Sequence, residues 1–129
     1  MNLVYDDDAM RYETQIDGIA YATVDGEENE LDSARNVLLS VLEHHAELEK
    51  AARACAADEL LETKNESWLE EDEDLVTREV FMQRLELEEV EADEEGFRFW
   101  FNDDDMFWGH MVMVQFNSDG KPDFAEMMG

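Results

Sequence analysis

The feature that most constrains this chain is its charge. It carries 36 Asp and Glu side chains against nine Lys and Arg in 129 residues, a formal net charge of −27. So many like charges oppose compaction by self-repulsion, although they keep a protein soluble. The excess points to a strongly basic protein as partner. Direct binding to nucleic acid or to an anionic membrane is not expected, because affinity for phosphates comes mainly from Lys and Arg.

The remaining composition is that of a folded protein. Hydrophobic residues make up 44% of the chain and aromatic residues 10%, whereas acidic disordered chains are poor in aromatic and branched apolar residues. The length fits one domain. We therefore predict a single acidic domain over residues 1–129, in which the apolar residues supply a core and the acids an overcharged surface.

Cysteine content and the N-terminal sequence predict the compartment. The lone Cys55 cannot form an internal disulfide and removes every multi-cysteine zinc pattern. The first residues show no basic region followed by an apolar stretch, as a signal peptide would, and no apolar run is long enough to span a bilayer. A cytoplasmic location is expected.

In the first third of the chain, apolar and polar residues first alternate, and the apolar residues then recur at a helical spacing. Apolar alternation over residues 12–16 and 19–24 flanks Asp17-Gly18, which predicts a β-hairpin, closed by Asp25-Gly26. From Leu31 onward the apolar period changes to about 3.6, and Asn29 or Asp32 is the expected N-cap. One helix over residues 30–62 would be roughly 50 Å long, too long for this domain. We therefore expect a break near His44 to Glu47, with one of His44 and His45 in the apolar stripe and the other in solvent.

The C-terminal half reads as a short helix followed by strands. Residues 63–76 form a polar connection, and Thr77 is the expected cap of a helix containing Phe81. A change of strand phase predicts a bulge near Glu88-Glu89. Turns at residues 94–96 and 102–105 then separate three antiparallel strands, the last running from Phe107 to Phe116 and ending at Asn117 to Gly120. The fold class is α+β: an N-terminal β-hairpin, two to three helices, and a C-terminal antiparallel β-meander packed against the helices.

Aromatic residues concentrate between residues 97 and 110. Phe97, Phe99 and Phe101 share one face of their strand, Trp100 takes the other, and Phe107 and Trp108 are expected to open the next strand and pair across the hairpin. A sheet core is the favoured interpretation. The alternative is a ligand-binding cluster, and the residues that could form either a ligand-binding or a structural cluster are Trp100, Phe107, Trp108 and His110.

His110 is the one residue that suggests catalysis. A nearby Asp103, Asp104 or Asp105 would make a His–Asp pair able to act as a general base or to bind a metal. The simpler interpretation is a half-buried histidine that bonds to a backbone carbonyl. The sequence has no nucleophile elbow, phosphate loop or HExxH motif. We therefore predict no enzyme activity, no cofactor and no dedicated metal site.

Acidic runs occur at residues 6–8, 70–74, 86–95 and 103–105. Their average density is too low to imitate DNA: roughly 7,000 Å² of surface gives one net charge per about 260 Å², against one per about 110 Å² for B-DNA. Only a one-sided arrangement would resemble a duplex. Crowding of these acids is expected to raise several carboxyl pKa values. The predicted partner-binding residues are Glu70, Glu71, Asp72, Glu73, Asp74, Asp103, Asp104 and Asp105.

Several of these segments resemble a bacterial domain-of-unknown-function family that ends in a Phe-Trp-Gly-His strand. The shared features here are Leu61 to Asn65 with Trp68, Phe81, Leu85 to Val90, Gly96 to Phe99, Asp103 to Asp105 with Phe107 to His110, and the terminal Gly129. The resemblance covers roughly residues 30–129. It implies an α+β fold and no established reaction. By analogy, small acidic domains of this kind accompany bacterial toxins as immunity proteins.

These observations leave three hypotheses. The leading one is a non-catalytic, immunity-type inhibitor whose acidic face covers the active or substrate-binding cleft of a basic bacterial toxin, a nuclease above all. The first alternative is a phage- or plasmid-encoded DNA mimic that inhibits a DNA-binding defence enzyme. The second is a small-ligand binder or enzyme centred on His110.

Overall fold

Within the residues that the structure describes, seven strands form one sheet, and three helices pack on one of its faces. The computed structural model describes residues 3–24 and 27–128, so the predicted Asp25-Gly26 turn and Gly129 lie outside the described residues. The strands are β1 (Val4–Asp6), β2 (Arg11–Ile16), β3 (Ile19–Thr23), β4 (Glu86–Ala92), β5 (Gly96–Asn102), β6 (Met111–Asn117) and β7 (Pro122–Met128). The helices are α1 (Glu28–Glu43), α2 (His45–Ser67) and α3 (Arg78–Arg84).

The strands lie in the sheet in the same order as in the chain, from β1 to β7. Every neighbouring pair is antiparallel except β3 and β4, which are parallel. A parallel pair needs a crossover connection, and all three helices lie in that crossover. The predicted α+β architecture, with an N-terminal hairpin, helices and a C-terminal meander, is confirmed.

One hydrophobic core lies between the helices and the sheet. Phe97, Phe99 and Phe101 face the helices and are buried, while Arg98 and Trp100 lie on the opposite face and are only partly covered. This alternation is the one predicted from the sequence. The helices contribute Leu38, Val41, Leu42, Ala52, Ala56, Ala57 and Leu60 to the same core.

The break between the first two helices lies where the length argument placed it. His44 has φ −122° and ψ 24°, so α1 ends at Glu43 and α2 begins at His45. His44 is exposed, whereas the ring of His45 packs edge-on against Tyr21, 6.4 Å between centroids. The expectation of one histidine in the stripe and one in solvent is confirmed.

The predicted N-cap of α1 is wrong. Helix α1 begins at Glu28, so Asn29 and Asp32 are already inside it, and the N-cap Glu27 makes no side-chain capping bond. Glu28 and Glu30 lie in the first turn instead, where negative charge is favoured by the helix dipole. By contrast, the predicted cap of α3 is confirmed, because the Thr77 hydroxyl accepts a hydrogen bond from the Val80 amide at 3.2 Å.

Several C-terminal boundaries differ from the prediction. Helix α2 continues to Ser67, so residues 63–67 are helical rather than part of the connection. The Asn65 side chain explains this, since it bonds both the amide and the carbonyl of Val76 and ties the helix end to the chain before α3. The bulge is confirmed, as a register shift between Leu87 and Glu89.

Strands β1, β6 and β7 carry the other differences. Strand β6 begins at Met111, not Phe107, so the Phe-Trp-Gly-His segment is a loop rather than a strand. Phe107 and Trp108 therefore do not pair across the hairpin. The edge strands β1 and β7 were not predicted: β1 has only three residues, and β7 begins at Pro122 just after the predicted end of the sheet.

An acidic and aromatic surface at one end of the sheet

Two of the predicted acidic runs, far apart in the sequence, meet at Arg84. Its guanidinium donates to the Asp104 carboxylate at 3.0 Å and to the Asp104 carbonyl at 2.8 Å. The same side chain lies 3.6 Å from a carboxylate oxygen of Glu73. Residues 70–74 and 103–105 are therefore neighbours in space. They lie at the end of the sheet where β5 ends and β6 begins.

Glu73 serves the fold within the first run. It accepts hydrogen bonds from Lys64 Nζ at 2.9 Å and from the Glu70 amide at 3.0 Å. Lys64 is only 1% exposed and also donates to the Trp68 carbonyl at 2.8 Å. The hydrogen bond from Lys64, with the Glu70 amide and Arg84 adding to it, lowers the pKa of Glu73. The other acids of this run, Glu70, Glu71, Asp72 and Asp74, are exposed.

Asp103 has a structural role in the second run. It is 1% exposed, and its carboxylate accepts hydrogen bonds from the amides of Asp105, Phe107, Gly109 and His110 at 2.9–3.1 Å. A side chain so enclosed is not available to a partner. Of the three acids predicted here to bind a partner, Asp104 and Asp105 are exposed and Asp103 is not.

An aromatic cluster lies beside the two runs. The Trp68 ring packs edge-on against Trp108 at 4.9 Å, His110 at 5.4 Å and Phe107 at 5.8 Å between centroids. Trp108 is 59% exposed although Phe107 is fully buried. Three of the four residues predicted to cluster are thus together. Trp100 is not among them, because it lies on the other face of the sheet, where its indole N–H donates to Glu91 at 3.3 Å.

The sequence interpretation did not include Trp68 in this cluster. It follows the last residue of α2, and its amide bonds back to the Lys64 carbonyl at 3.0 Å. Its position two residues before the acidic run at 70–74 was the available signal. Here Trp68 packs against the core and so fixes the chain that leads into residues 70–74.

His110 makes the contacts of a structural histidine. Its Nδ1 lies 2.6 Å from the Phe107 carbonyl oxygen, and since a carbonyl only accepts, Nδ1 carries the proton. The contact with Asp103 is made by the His110 backbone amide, not by its ring. Among the described residues, no hydrogen bond joins the ring to Asp103, Asp104 or Asp105, and the contact of Nδ1 is with a backbone carbonyl, as the simpler interpretation expected.

Acids elsewhere are also used by the fold. Asp93 accepts from the amides of Glu95 and Gly96 at 2.8 and 2.9 Å, and Arg98 bonds Glu91 at 2.9 Å and Asp93 at 3.2 Å. At the β1–β2 turn, the Ala9 amide lowers the pKa of Asp6. The pKa shifts at Asp6 and Glu73 are opposite to the increase expected from crowding, because hydrogen bonds to the charged form outweigh the opposing effect of burial there.

A groove of about 610 Å³ runs between α2 and α3 and is lined by Lys50, Arg53, Ala54, Arg78, Glu79, Met82 and Gln83. It is lined by three basic residues and one acid, in a very acidic protein. Arg53 donates to the Met82 and Leu85 carbonyls at the end of α3, and Arg78 pairs with Asp58. Both guanidinium groups are therefore already engaged by the protein, which fits a structural role for this groove.

Over residues 3–24 and 27–128, no three His, Cys, Asp or Glu side chains come together in a way that could hold a metal ion. Within the same ranges, none of the helices has the length and apolarity required to cross a membrane.

Fold and surface together define a small α+β protein with an acidic, aromatic end. The chain belongs to a family described as uncharacterized proteins conserved in bacteria (DUF2262), whose model matches residues 2–127. This confirms membership of an uncharacterised bacterial family, over nearly the whole chain rather than over residues 30–129. The match does not extend to the Phe-Trp-Gly-His motif as a family feature or to a likeness to immunity proteins. No curated protein and no solved structure matches the chain.

Proposed function

We propose that this protein is a non-catalytic, acidic binding protein, most specifically an immunity-type inhibitor that neutralises a basic bacterial toxin in the cytoplasm. The observation that carries the proposal is the meeting of residues 70–74 and 103–105 around Arg84. Two separate segments supply exposed acids to one end of the molecule. This end also presents a large exposed aromatic side chain, Trp108, as protein-binding surfaces commonly do.

The inhibitor would act by occupying a basic cleft. A nuclease binds its substrate through Lys and Arg side chains that face phosphates, so a rigid acidic surface competes for the same groups. Complementary charge speeds association and makes it steeply dependent on salt. In this proposal the contacting acids are Glu70, Glu71, Asp72, Asp74, Asp104 and Asp105, while Glu73 and Asp103 hold the surface in shape.

Co-expression tests the proposal. The proposal requires a gene for a basic toxin beside this one; production of that toxin alone should stop growth, and co-production of the wild-type protein should restore growth. A variant carrying Glu70→Gln, Glu71→Gln, Asp72→Asn, Asp74→Asn and Asp105→Asn should bind that toxin at least tenfold more weakly and protect poorly. Failure of the wild-type protein to relieve toxicity contradicts the inhibitor role.

A matched control separates this surface from net charge. Asp7, Asp8, Glu94, Glu95 and Asp119 are exposed and lie in turns at the opposite end of the sheet. Replacing these five acids with their amides removes the same charge but should leave protection and toxin affinity within about twofold of wild type. Equal losses in the two variants would show that overall charge, rather than this end of the molecule, drives binding.

The DNA-mimic alternative requires a different spacing of the carboxylates on the same surface. The accessible surface of 7590 Å² gives one net charge per about 280 Å², which is sparser than the phosphates of a duplex. A mimic would therefore need its carboxylates in two rows. If the charge variant lost affinity for a DNA-binding defence enzyme and the wild-type protein protected against no toxin, this alternative would replace the inhibitor.

A further inference from the structure

Trp108 is held in solvent by the loop that carries it. The two preceding residues, Met106 and Phe107, are fully buried, yet Trp108 is 59% exposed. An aromatic side chain of this size buries 150–250 Å² when it is covered. Trp108 thus leaves a large apolar area exposed directly after two buried residues.

The loop fixes the direction of this side chain. Four hydrogen bonds from backbone amides to the Asp103 carboxylate hold residues 103–110. The Trp108 amide also donates a hydrogen bond to the Asp105 carbonyl at 3.2 Å. Trp108 has φ +61°, in the left-handed region that a bulky residue rarely adopts. An indole held in this way loses little conformational freedom on binding, as is typical of an interface anchor.

The residues near the Trp108 indole favour a cationic side chain as its contact. Asp105 closes the same turn, Asp104 is adjacent, and Trp68 joins the indole to the chain that leads into residues 70–74. Arg84, the basic residue between the two runs, is already bound to Asp104 and Glu73. An apolar partner that covered the indole would remove water from these carboxylates and would offer no hydrogen bonds in its place. A cationic side chain would instead satisfy both the ring and the acids.

Arginine fits this arrangement better than lysine. Its planar guanidinium stacks on an aromatic face and can also donate two parallel hydrogen bonds to a carboxylate. Lysine offers a compact, strongly hydrated charge and no plane to stack. Tryptophan is also the best of the aromatic side chains for a cation–π contact.

We propose that Trp108 is the anchor of the partner-binding surface and receives an arginine side chain of a basic protein, with Asp104 and Asp105 as flanking acceptors. This inference rests on the proposed function and adds the chemical identity of the contacting group. It predicts a preference for arginine over lysine at equal charge, which attraction between net charges alone does not produce.

The test compares oligo-arginine and oligo-lysine peptides of equal length, titrated into protein labelled with 5-fluorotryptophan. The ¹⁹F signals of Trp68, Trp100 and Trp108 are assigned with single Trp→Phe variants. Oligo-arginine should shift the Trp108 signal most and leave that of Trp100, on the other sheet face, unchanged. It should also bind more tightly than oligo-lysine, by up to about fivefold, which is the value of a whole exposed cation–π contact.

Variants at position 108 complete the test. Trp108→Ala should abolish the preference for arginine while retaining oligo-lysine binding, and Trp108→Phe should give an intermediate preference. Undisturbed Trp100 signals in both variants confirm that they fold. Equal binding of the two peptides by the wild-type protein, or a preference that survives in Trp108→Ala, overturns the anchor role and leaves the acidic surface intact. Binding of neither peptide would contradict the proposed function as well.

Discussion

Glu73 and Lys64 illustrate how single acidic residues of this chain take part in folding. Both belong to segments that look like solvated charge, yet Lys64 is almost fully buried and Glu73 is its partner. A buried ammonium is costly unless it is paired and hydrogen-bonded. Glu73 and the Trp68 carbonyl meet that need, and so fix the start of the acidic run to the end of α2.

The pair predicts the pH dependence of folding. Because the pKa of Glu73 is lowered in the folded state from an ordinary value of 4.5, its contribution to stability is present above that value and is lost as the pH falls through the folded pKa. Glu73→Gln should reduce the free energy of unfolding at pH 7 by about 1 kcal/mol and reduce its decline below pH 4.5. Denaturant unfolding between neutral and acidic pH measures both effects.

Asp74→Asn is the matched control for that measurement. Asp74 is exposed, and no hydrogen bond of its side chain is seen among the described residues. Its substitution should leave the shape of the pH profile unchanged. If Glu73→Gln and wild type lose stability in parallel on acidification, the lowered pKa of Glu73 does not contribute.

At the scale of helices, strands and turns, the features that depend on interactions between residues close in sequence were predicted correctly. The hairpin, the break at His44 and the cap at Thr77 each follow from short-range sequence, and all three were correct. The start of β6 was not, because Asp103 takes up the amides that would otherwise join a ladder. The parallel pairing of β3 with β4 could not be predicted from periodicity, since it is decided by packing across the helices.

The candidate site was predictable in part for the same reason. Residues 70–74 and Asp104 and Asp105 were identified as exposed acids, but nothing in a linear charge run shows that Arg84 joins two of them. The burial of Asp103 was equally invisible, because its role depends on four amides that follow it in the chain.

The loop between β5 and β6 yields the next prediction. Asp103→Asn removes the charge and turns one accepting oxygen into a donor amide that faces backbone N–H groups. Since hydrogen bonds to charged groups are worth about 1.5–3 kcal/mol each, the variant should lose about 2–3 kcal/mol of unfolding free energy. Asp105→Asn, at an exposed left-handed position that Asn tolerates, should change stability by less than about 0.5 kcal/mol. Similar losses in both variants would contradict the structural role of Asp103.

At the scale of the whole molecule, the net charge of −27 acts on every part of the surface. Repulsion among exposed carboxylates is screened by salt, and the Debye length falls from about 30 Å at 0.01 M to about 3 Å at 1 M. We expect the melting temperature at pH 7 to rise by about 4 °C or more over that range, which corresponds to roughly 1 kcal/mol for a domain of this size.

The two fivefold amide variants described above serve as controls for this measurement. Each reduces the negative charge by the same amount, so each should melt higher than wild type at low salt and respond less to added salt. A melting temperature that is insensitive to salt in all three proteins would mean that repulsion among the acids does not limit stability.

The parallel pairing of β3 with β4 also has a consequence for folding kinetics. Ala20 lies opposite Glu89 with all three helices between them in the chain, whereas β4 to β7 pair through short turns. Contacts between distant residues form late, because the entropy of closing the intervening loop opposes them. The meander can therefore assemble first, with the N-terminal hairpin docking last along β4. In the native protein this seam is then the first to open, and amide exchange should be faster in β1 to β3 than in β5 and β6.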